Sequence, residues 1–90
     1  MKIEKTKEKV YILNDEQKEI AYVLFPKLDE QTAVIESTFV DSSLRGMGIA
    51  QQLLQAAYEV LKASNLKVIV HCSYAEKWFL NNPKYQDILK

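Results

Sequence analysis

Both glycines of this 90-residue chain occur in one short stretch of sequence. The stretch reads Ser42-Ser43-Leu44-Arg45-Gly46-Met47-Gly48-Ile49-Ala50. It follows a β-branched, strand-like segment and precedes an amphipathic, helix-like one. A helix N-terminus presents unpaired backbone N–H groups and about half a unit of positive charge, and glycine lets a phosphate come close to the backbone. The placement therefore favours binding of a diphosphate, although a tight turn alone would also use paired glycines.

The segment after the glycines has helical periodicity. Over residues 47–63 apolar residues recur three or four positions apart, and glutamines and charged residues fill the other face. Strand-like segments flank this helix, at Thr32–Val40 before it and Leu66–His71 after it, and Asn65 suits the left-handed conformation that closes many helices. A strand, helix, strand unit predicts that the two strands run parallel.

The N-terminal third predicts a β-hairpin. Val10–Leu13 and Ile20–Phe25 are rich in β-branched and aromatic residues, and the turn residues Asn14–Gln17 separate them. Pro26 ends the second strand because it lacks a backbone donor. With Thr32–Val40 as a third strand, the pattern predicts an antiparallel three-strand meander.

Two short helical segments are predicted at the C-terminus. Tyr74–Leu80 has helical character and is stopped by Asn81-Asn82-Pro83, and Tyr85–Leu89 is predicted to form a final helical turn. The fold class is therefore α+β: a mixed sheet with the meander, a helix, a parallel fourth strand and a short C-terminal helix. Ninety residues are enough for one domain, so residues 1–90 are expected to form a single unit.

The composition restricts the possible partners. Twelve basic and twelve acidic residues cancel, which argues against nucleic acid or an anionic membrane as a partner. No apolar stretch approaches the roughly 20 residues that span a bilayer. One cysteine cannot form an internal disulfide, and the charged N-terminus is unlike a signal peptide, so we expect a cytoplasmic location. No spacing of metal-ligating residues predicts a metal site.

Two common nucleotide-binding motifs do not fit the glycine stretch. The dinucleotide-binding pattern G-x-G-x-x-G requires a third glycine where this chain has Gln51. A phosphate-binding Walker loop requires a lysine followed by serine or threonine, which is absent here. Both classes are disfavoured.

The stretch resembles the acetyl-coenzyme A loop of the GCN5-related N-acetyltransferases (GNAT), whose pattern is Gln or Arg, two variable residues, Gly, one variable residue, then Gly or Ala. Residues 45–50 fit at every fixed position. The resemblance implies acetyl-CoA as a cosubstrate, with its diphosphate on the backbone amides of Gly46, Met47, Gly48, Ile49 and Ala50. It also implies that Arg45 adds charge or positions the loop, and that the backbone of Phe39 and Val40 pairs with the pantetheine arm.

The chain from about Val10 to Leu89 also resembles a very short branch of that superfamily. The strand ending in Cys72, the aromatic-containing helix after it and the Pro83-Lys84-Tyr85 segment carry this resemblance. The branch often has His-Thr-Glu-Val before the loop, whereas this chain has Ser37-Thr38-Phe39-Val40. Roles assigned to that histidine and glutamate therefore do not transfer.

Acetyl transfer to an amine needs a proton acceptor and a donor to the oxyanion or the departing thiolate. Cys72, before a predicted helix, is a candidate for transient acetylation or is a buried packing residue. His71 is a candidate for proton transfer, although alternation along the strand argues against a dyad with Cys72. Glu36 is a candidate base acting through water, as a glutamate does in many members of the superfamily. Tyr74 and Tyr85 are candidates to protonate the thiolate, or pack in the core.

These observations predict an N-acyltransferase that uses acetyl-CoA on a small amine or an exposed lysine. A CoA or acyl-CoA binding module without catalysis is the alternative, and a protein interaction module that keeps the loop as a relic is a third. The acceptor cannot be read from the sequence. An open acceptor side would suit a homodimer or a protein partner.

Overall fold

The computed structural model describes residues 2–90, which form six strands, two α-helices and two short 3₁₀-helices. The strands are β1 (Glu4–Lys5), β2 (Lys9–Leu13), β3 (Glu19–Leu24), β4 (Thr32–Ile35), β5 (Ser37–Val40) and β6 (Lys67–Val70). The α-helices are α1 (Ile49–Ala63) and α2 (Ser73–Asn81), and the 3₁₀-helices span Ser42–Leu44 and Pro83–Ile88.

The strands make two sheets. β1, β2, β3 and β5 form an antiparallel sheet in that order, and β4 and β6 form a parallel pair. The predicted hairpin, meander and parallel fourth strand are thus confirmed. β1 was not predicted, because two residues are too few to show a periodic pattern.

The predicted third strand, Thr32–Val40, is divided at Glu36, so its prediction as one continuous strand was wrong. The Glu36 amide donates to the Leu24 carbonyl at 3.0 Å, and Leu24 is also the register partner of Ser37. Two consecutive residues therefore face one, which is a β-bulge. The bulge separates β4, which pairs with β6, from β5, which pairs with β3.

The helices begin and end close to their predicted bounds. α1 starts at Ile49 rather than at residue 47, because Gly48 precedes it as N-cap with a φ of 72°. Asn65 has the predicted left-handed conformation, with a φ of 57°. The predicted final helical turn is a 3₁₀-helix. None of the helices within residues 2–90 has the length and apolar content to cross a bilayer.

The core lies between α1 and the antiparallel sheet, where α1 packs against β2 and β3. The fully buried side chains are Val10, Ile12, Ala21 and Val23 on the sheet and Leu53, Ala57 and Leu61 on the helix. Burial of each large aliphatic side chain contributes about 1.5–3 kcal/mol. This packing fixes the N-terminus of α1 beside the end of β5.

The C-terminal 3₁₀-helix packs against both α1 and α2. The Tyr85 ring stacks on Trp78 of α2 with centroids 4.9 Å apart and meets Tyr58 of α1 edge-on at 4.8 Å. Asp87 accepts hydrogen bonds from Lys62 and Tyr58, and the Lys62 bond is the main reason that the pKa of Asp87 lies below its ordinary value. These contacts hold the two helices in a fixed relation.

Candidate functional site

β5 has a free edge because the two sheets diverge at the bulge. The last parallel pair is Ile35 with Val70, and the His71 amide still donates to the Ile35 carbonyl at 3.0 Å. Beyond Glu36 the chain turns to pair with β3 on one side only. An unpaired strand edge offers backbone N–H and C=O groups to a ligand.

The register decides which residues of β5 present those groups. Asp41 donates its amide hydrogen to the Ile20 carbonyl of β3 at 2.8 Å. Residue pairs along an antiparallel ladder alternate between hydrogen-bonded and non-hydrogen-bonded pairs. Phe39 and its partner Tyr22 are therefore a bonded pair, whereas Thr38 and Val40 turn their backbone groups to the free edge. The Phe39 ring packs on Tyr22, with centroids 5.5 Å apart.

The glycine loop sets the backbone conformation directly before α1. Gly46 and Gly48 have φ values of 82° and 72°, which side chains rarely tolerate. A Cβ at either position would meet no protein atom within 4 Å, so the need for glycine is conformational. Gly48 caps α1 without a side-chain hydrogen bond, and the first amides of the helix, at Ile49 and Ala50, have no partner within the helix. The loop therefore leaves donors free for an anion.

A cavity of about 490 Å³ joins the loop to the free edge of β5. Its lining residues are Thr38, Val40, Leu44, Arg45, Gly46, Gly48, Ile49, Ala50 and Tyr74. Six of the eight predicted cofactor residues lie in this lining. The two others, Phe39 and Met47, lie outside it, and the Met47 side chain is exposed. The volume is within the usual range for a small-molecule site.

Arg45 brings a positive charge to the cavity. It follows the first 3₁₀-helix, and its Nε lies 3.5 Å from the Val40 carbonyl oxygen. The side chain is exposed, so the guanidinium contacts solvent and also borders the cavity. This arrangement suits attraction of an anion to the amides of α1.

Cys72 is not among the residues that line the cavity, but it contacts one of them, Thr38. It is the N-cap residue of α2, half-buried, and its Sγ is 3.4 Å from the Thr38 Oγ1. Burial raises the pKa of the Cys72 thiol, but the Thr38 hydroxyl and the amides of Ala75 and Tyr74 together outweigh it, so the pKa lies below its ordinary value. Stabilisation of a thiolate at a helix N-terminus is expected on these grounds.

Glu36 and His71 lie at the point of divergence and outside the cavity lining. Both side chains are exposed, and the two residues directly follow the last pair of β4 and β6. The hydrogen bond of the Cys72 thiol is to Thr38 rather than to His71. Within residues 2–90 there is no group of three His, Cys, Asp or Glu side chains able to hold a metal ion.

A family model described as GCN5-related N-acetyl-transferase matches residues 9–88. This range contains strands β2 to β6, the glycine loop and Cys72. The chain belongs to the GCN5-related N-acetyltransferase family. The resemblance predicted from residues 45–50 is thereby confirmed.

Comparison of this chain with known sequences and solved structures supports the fold. Protein NATD1 from Xenopus tropicalis is 32% identical over 63 residues, which are 70% of this chain, and the match spans about 58% of that relative's length. A GCN5-like protein from Staphylococcus aureus, solved by NMR, is 31% identical with a TM-score of 0.80, covering 99% of this chain and 87% of its own. Rv2747 from Mycobacterium tuberculosis, solved in complex with CoA, shares the fold at 19% identity and a TM-score of 0.67, over 84% of this chain and 47% of its own.

Three residues that line the cavity were not predicted from the sequence to bind the cofactor. They are Thr38, Leu44 and Tyr74. Thr38 precedes Val40 by two positions, so alternation along a strand is a signal that could have found it. Tyr74 was considered only as a proton donor. Leu44 lies in a 3₁₀-helix that no pattern predicted.

Proposed function

We propose that this chain binds acetyl-CoA in the cavity between the glycine loop and β5 and transfers the acetyl group to an amine. One observation carries the proposal: the uncapped N-terminus of α1, the Arg45 cation and the free edge of β5 border a single cavity. A diphosphate joined to an amide-containing arm has the chemistry that such a cavity recognises. Membership of the family and the CoA-bound relative support the same ligand.

The diphosphate would accept hydrogen bonds from the amides of residues 46–50, with Arg45 supplying charge. The pantetheine amides would then pair with backbone groups of Val40 and Thr38, as a further strand pairs with a sheet edge. Phe39 would hold β5 against β3, and Met47 would contribute its amide alone. This route carries the thioester from α1 toward the end of β5 nearest Cys72.

The acetyl group would then pass to the acceptor by one of two routes that the side chains support. In the first, the Cys72 thiolate attacks the thioester carbonyl, a new S–C bond forms, and the S–C bond to CoA breaks to release CoA thiolate. The acceptor amine next attacks S-acetyl-Cys72 and frees the Cys72 thiolate. In the second, the amine attacks the thioester directly. In both, Glu36 or His71 takes the amine proton through water, and CoA leaves as the thiol once protonated.

The acceptor would be a small amine or an exposed lysine, and residues 1–90 would act as one acetyl-CoA-binding domain. Isothermal titration with acetyl-CoA and CoA tests binding, for which we expect dissociation constants in the micromolar range. Release of CoA thiol, measured against a panel of amines and lysine peptides, tests transfer. Binding without amine-dependent thiol release would leave a CoA-binding module, and absence of binding would overturn the proposal.

A further inference from the structure

The antiparallel sheet has a second face, on the side opposite α1. Alternation along β2 puts Val10 and Ile12 on the face that α1 covers, so Tyr11 between them lies on the other, which we call the outer face. Register with Tyr11 puts Tyr22 of β3 on the outer face, and register with Tyr22 puts Phe39 of β5 there. Phe39 is 40% exposed, and both tyrosines are partly exposed. The outer face therefore presents three aromatic rings to solvent.

The three rings form one row with a carboxylate. The row, across β1, β2, β3 and β5, consists of Glu4, Tyr11, Tyr22 and Phe39, which are consecutive register partners. The Tyr22 and Phe39 rings pack together, with centroids 5.5 Å apart. Among residues 2–90, the Glu4 carboxylate has one ion-pair partner, the exposed Lys2 ammonium at 3.8 Å. An exposed pair of this kind contributes little, so Glu4 can exchange Lys2 for another cation.

The outer face holds an ammonium group of the chain itself. The Lys9 Nζ lies 4.7 Å from the centroid of the Tyr11 ring and 2.5 Å from a carboxylate oxygen of Glu19. A cation is attracted to the face of an aromatic ring because the ring quadrupole is negative there. Glu19 offsets the charge of Lys9, which reduces repulsion of a further cation. Within residues 2–90 no cation lies over the rings of Tyr22 or Phe39, so this pair remains available.

The size of the outer face limits its partner. The strands β2, β3 and β5 have 5, 6 and 4 residues. Three strands about 4.8 Å apart with about 3.3 Å per residue make a face of roughly 250 Å². A stable protein complex buries about 800 Å² of each partner. The outer face alone is therefore too small for a stable dimer of this chain and fits a short peptide segment.

We propose that the outer face binds the acceptor as a basic polypeptide segment, in which a cationic side chain near the acetylated lysine lies on Tyr22. The inference rests on the proposed function, because it takes the thioester to lie at the free edge of β5. Phe39 lies between Thr38 and Val40, which line the first cavity and form that edge. The outer face is thus continuous with the proposed site of transfer.

The geometry of the sheet sets the spacing of the two cations. Two strand spacings, about 10 Å, separate β3 from a position beyond the free edge of β5. In an extended peptide, residues two apart point to the same side and lie about 7 Å from each other. The flexible lysine side chain covers the remaining distance. A cation two residues from the acetylated lysine would therefore lie over Tyr22, whereas a cation on the adjacent residue would point away from the sheet.

Acetyl transfer to three matched, end-blocked pentapeptides tests this proposal. The first has arginine two residues after its single lysine, the second has glutamine there, and the third has the arginine moved next to the lysine. The parent should have a KM about fivefold lower for the first peptide than for the second, the scale of one exposed cation–π contact, at nearly the same kcat. The third peptide should behave as the second does, although its charge equals that of the first.

Variants of the two tyrosines separate the aromatic contact from packing. Tyr22→Leu removes the ring and keeps an apolar side chain against Phe39, so it should lose the preference while its affinity for acetyl-CoA and its activity on the glutamine peptide stay unchanged. Tyr22→Phe should keep the preference, since the ring remains. Tyr11→Leu should have a smaller effect, because Lys9 occupies the Tyr11 ring.

A binding measurement that needs no transfer gives an independent result. With CoA bound, the arginine peptide should shift the ring proton resonances of Tyr22 and Phe39, and the glutamine peptide should shift them much less. Equal KM values for these two peptides, or a preference that survives in Tyr22→Leu, would overturn the inference and leave the proposed function intact. Absence of transfer to every peptide and amine would overturn the proposed function, and the ring resonances would then decide whether the outer face binds a basic segment.

Discussion

The glycine loop and the point where β5 and β6 diverge are the two halves of one candidate site, and they are built differently. The loop offers backbone amides at the start of α1, held by two glycines with positive φ. The divergence offers side chains: Glu36 lies at the bulge, and His71 and Cys72 follow the end of β6. A backbone site requires only a conformation, whereas a side-chain site also requires each group to point the right way. Perturbing the loop should therefore have larger effects than perturbing the divergence.

The largest effect is expected at Gly48. Gly48→Asp would put a negative charge beside the proposed diphosphate and should weaken acetyl-CoA binding about 100-fold, or about 2.8 kcal/mol. Gly48→Asn is the matched control, since asparagine has the same shape without the charge and both residues tolerate a left-handed backbone better than most. Titration calorimetry on both folded variants measures the difference. Equal affinities for the two variants would show that no anion binds at this position.

Arg45 should have a smaller effect, because its charge is exposed to solvent. Arg45→Ala should weaken binding by roughly 1–2 kcal/mol at low ionic strength, and the loss should shrink as salt is added. Arg45→Lys should recover part of the affinity, since the charge is kept and the planar guanidinium is lost. Unchanged affinity in Arg45→Ala would mean that backbone amides alone hold the anion.

Cys72 tests the divergence half of the site. Because the pKa of its thiol is lowered, more thiolate is present near neutral pH than in an ordinary cysteine, and a thiol reagent should modify it severalfold faster. Thr38→Val removes the hydroxyl at nearly constant shape, so the pKa should rise and the rate profile should move to higher pH.

Bound CoA should protect the thiol, and acetyl-CoA should leave one acetyl group detectable by intact mass, absent in Cys72→Ser. A rate that neither Thr38→Val nor CoA alters, with no adduct, would assign Cys72 to packing and leave direct attack by the amine.

The smallest effect is expected at Glu36 and His71. Both are exposed, so water can replace either as the proton acceptor, and Glu36→Gln or His71→Gln should lower transfer about threefold. That is well below the roughly 100-fold or more of a positioned general base. Amine-dependent thiol release over a range of pH measures it. A loss of 100-fold in either variant would mean that the acceptor orders that side chain, and the contrast between the two halves would then fail.

The same contrast explains which features could be predicted from the sequence. The change of period at the glycines located the loop and the start of α1, because backbone conformation depends on local residue type. The resemblance to the acetyl-CoA loop implied six of the nine residues that line the cavity. The bulge at Glu36 could not be predicted, since strand-favouring residues lie on both sides of it, and the change of pairing partner from β6 to β3 depends on residues distant in sequence. The places of Thr38, Phe39 and Glu36 relative to the cavity depend on that bulge.

The free edge of β5 also affects how the protein behaves in solution. Unpaired amides and carbonyls on a strand edge are a template for pairing with another chain, and here the exposed Phe39 side chain is on the same strand. A ligand arm that pairs with Thr38 and Val40 would complete the sheet and remove that template. The amides of these two residues should then exchange slowly with solvent in the presence of CoA and rapidly without it, and the ligand-free protein should be the form more prone to associate edge to edge.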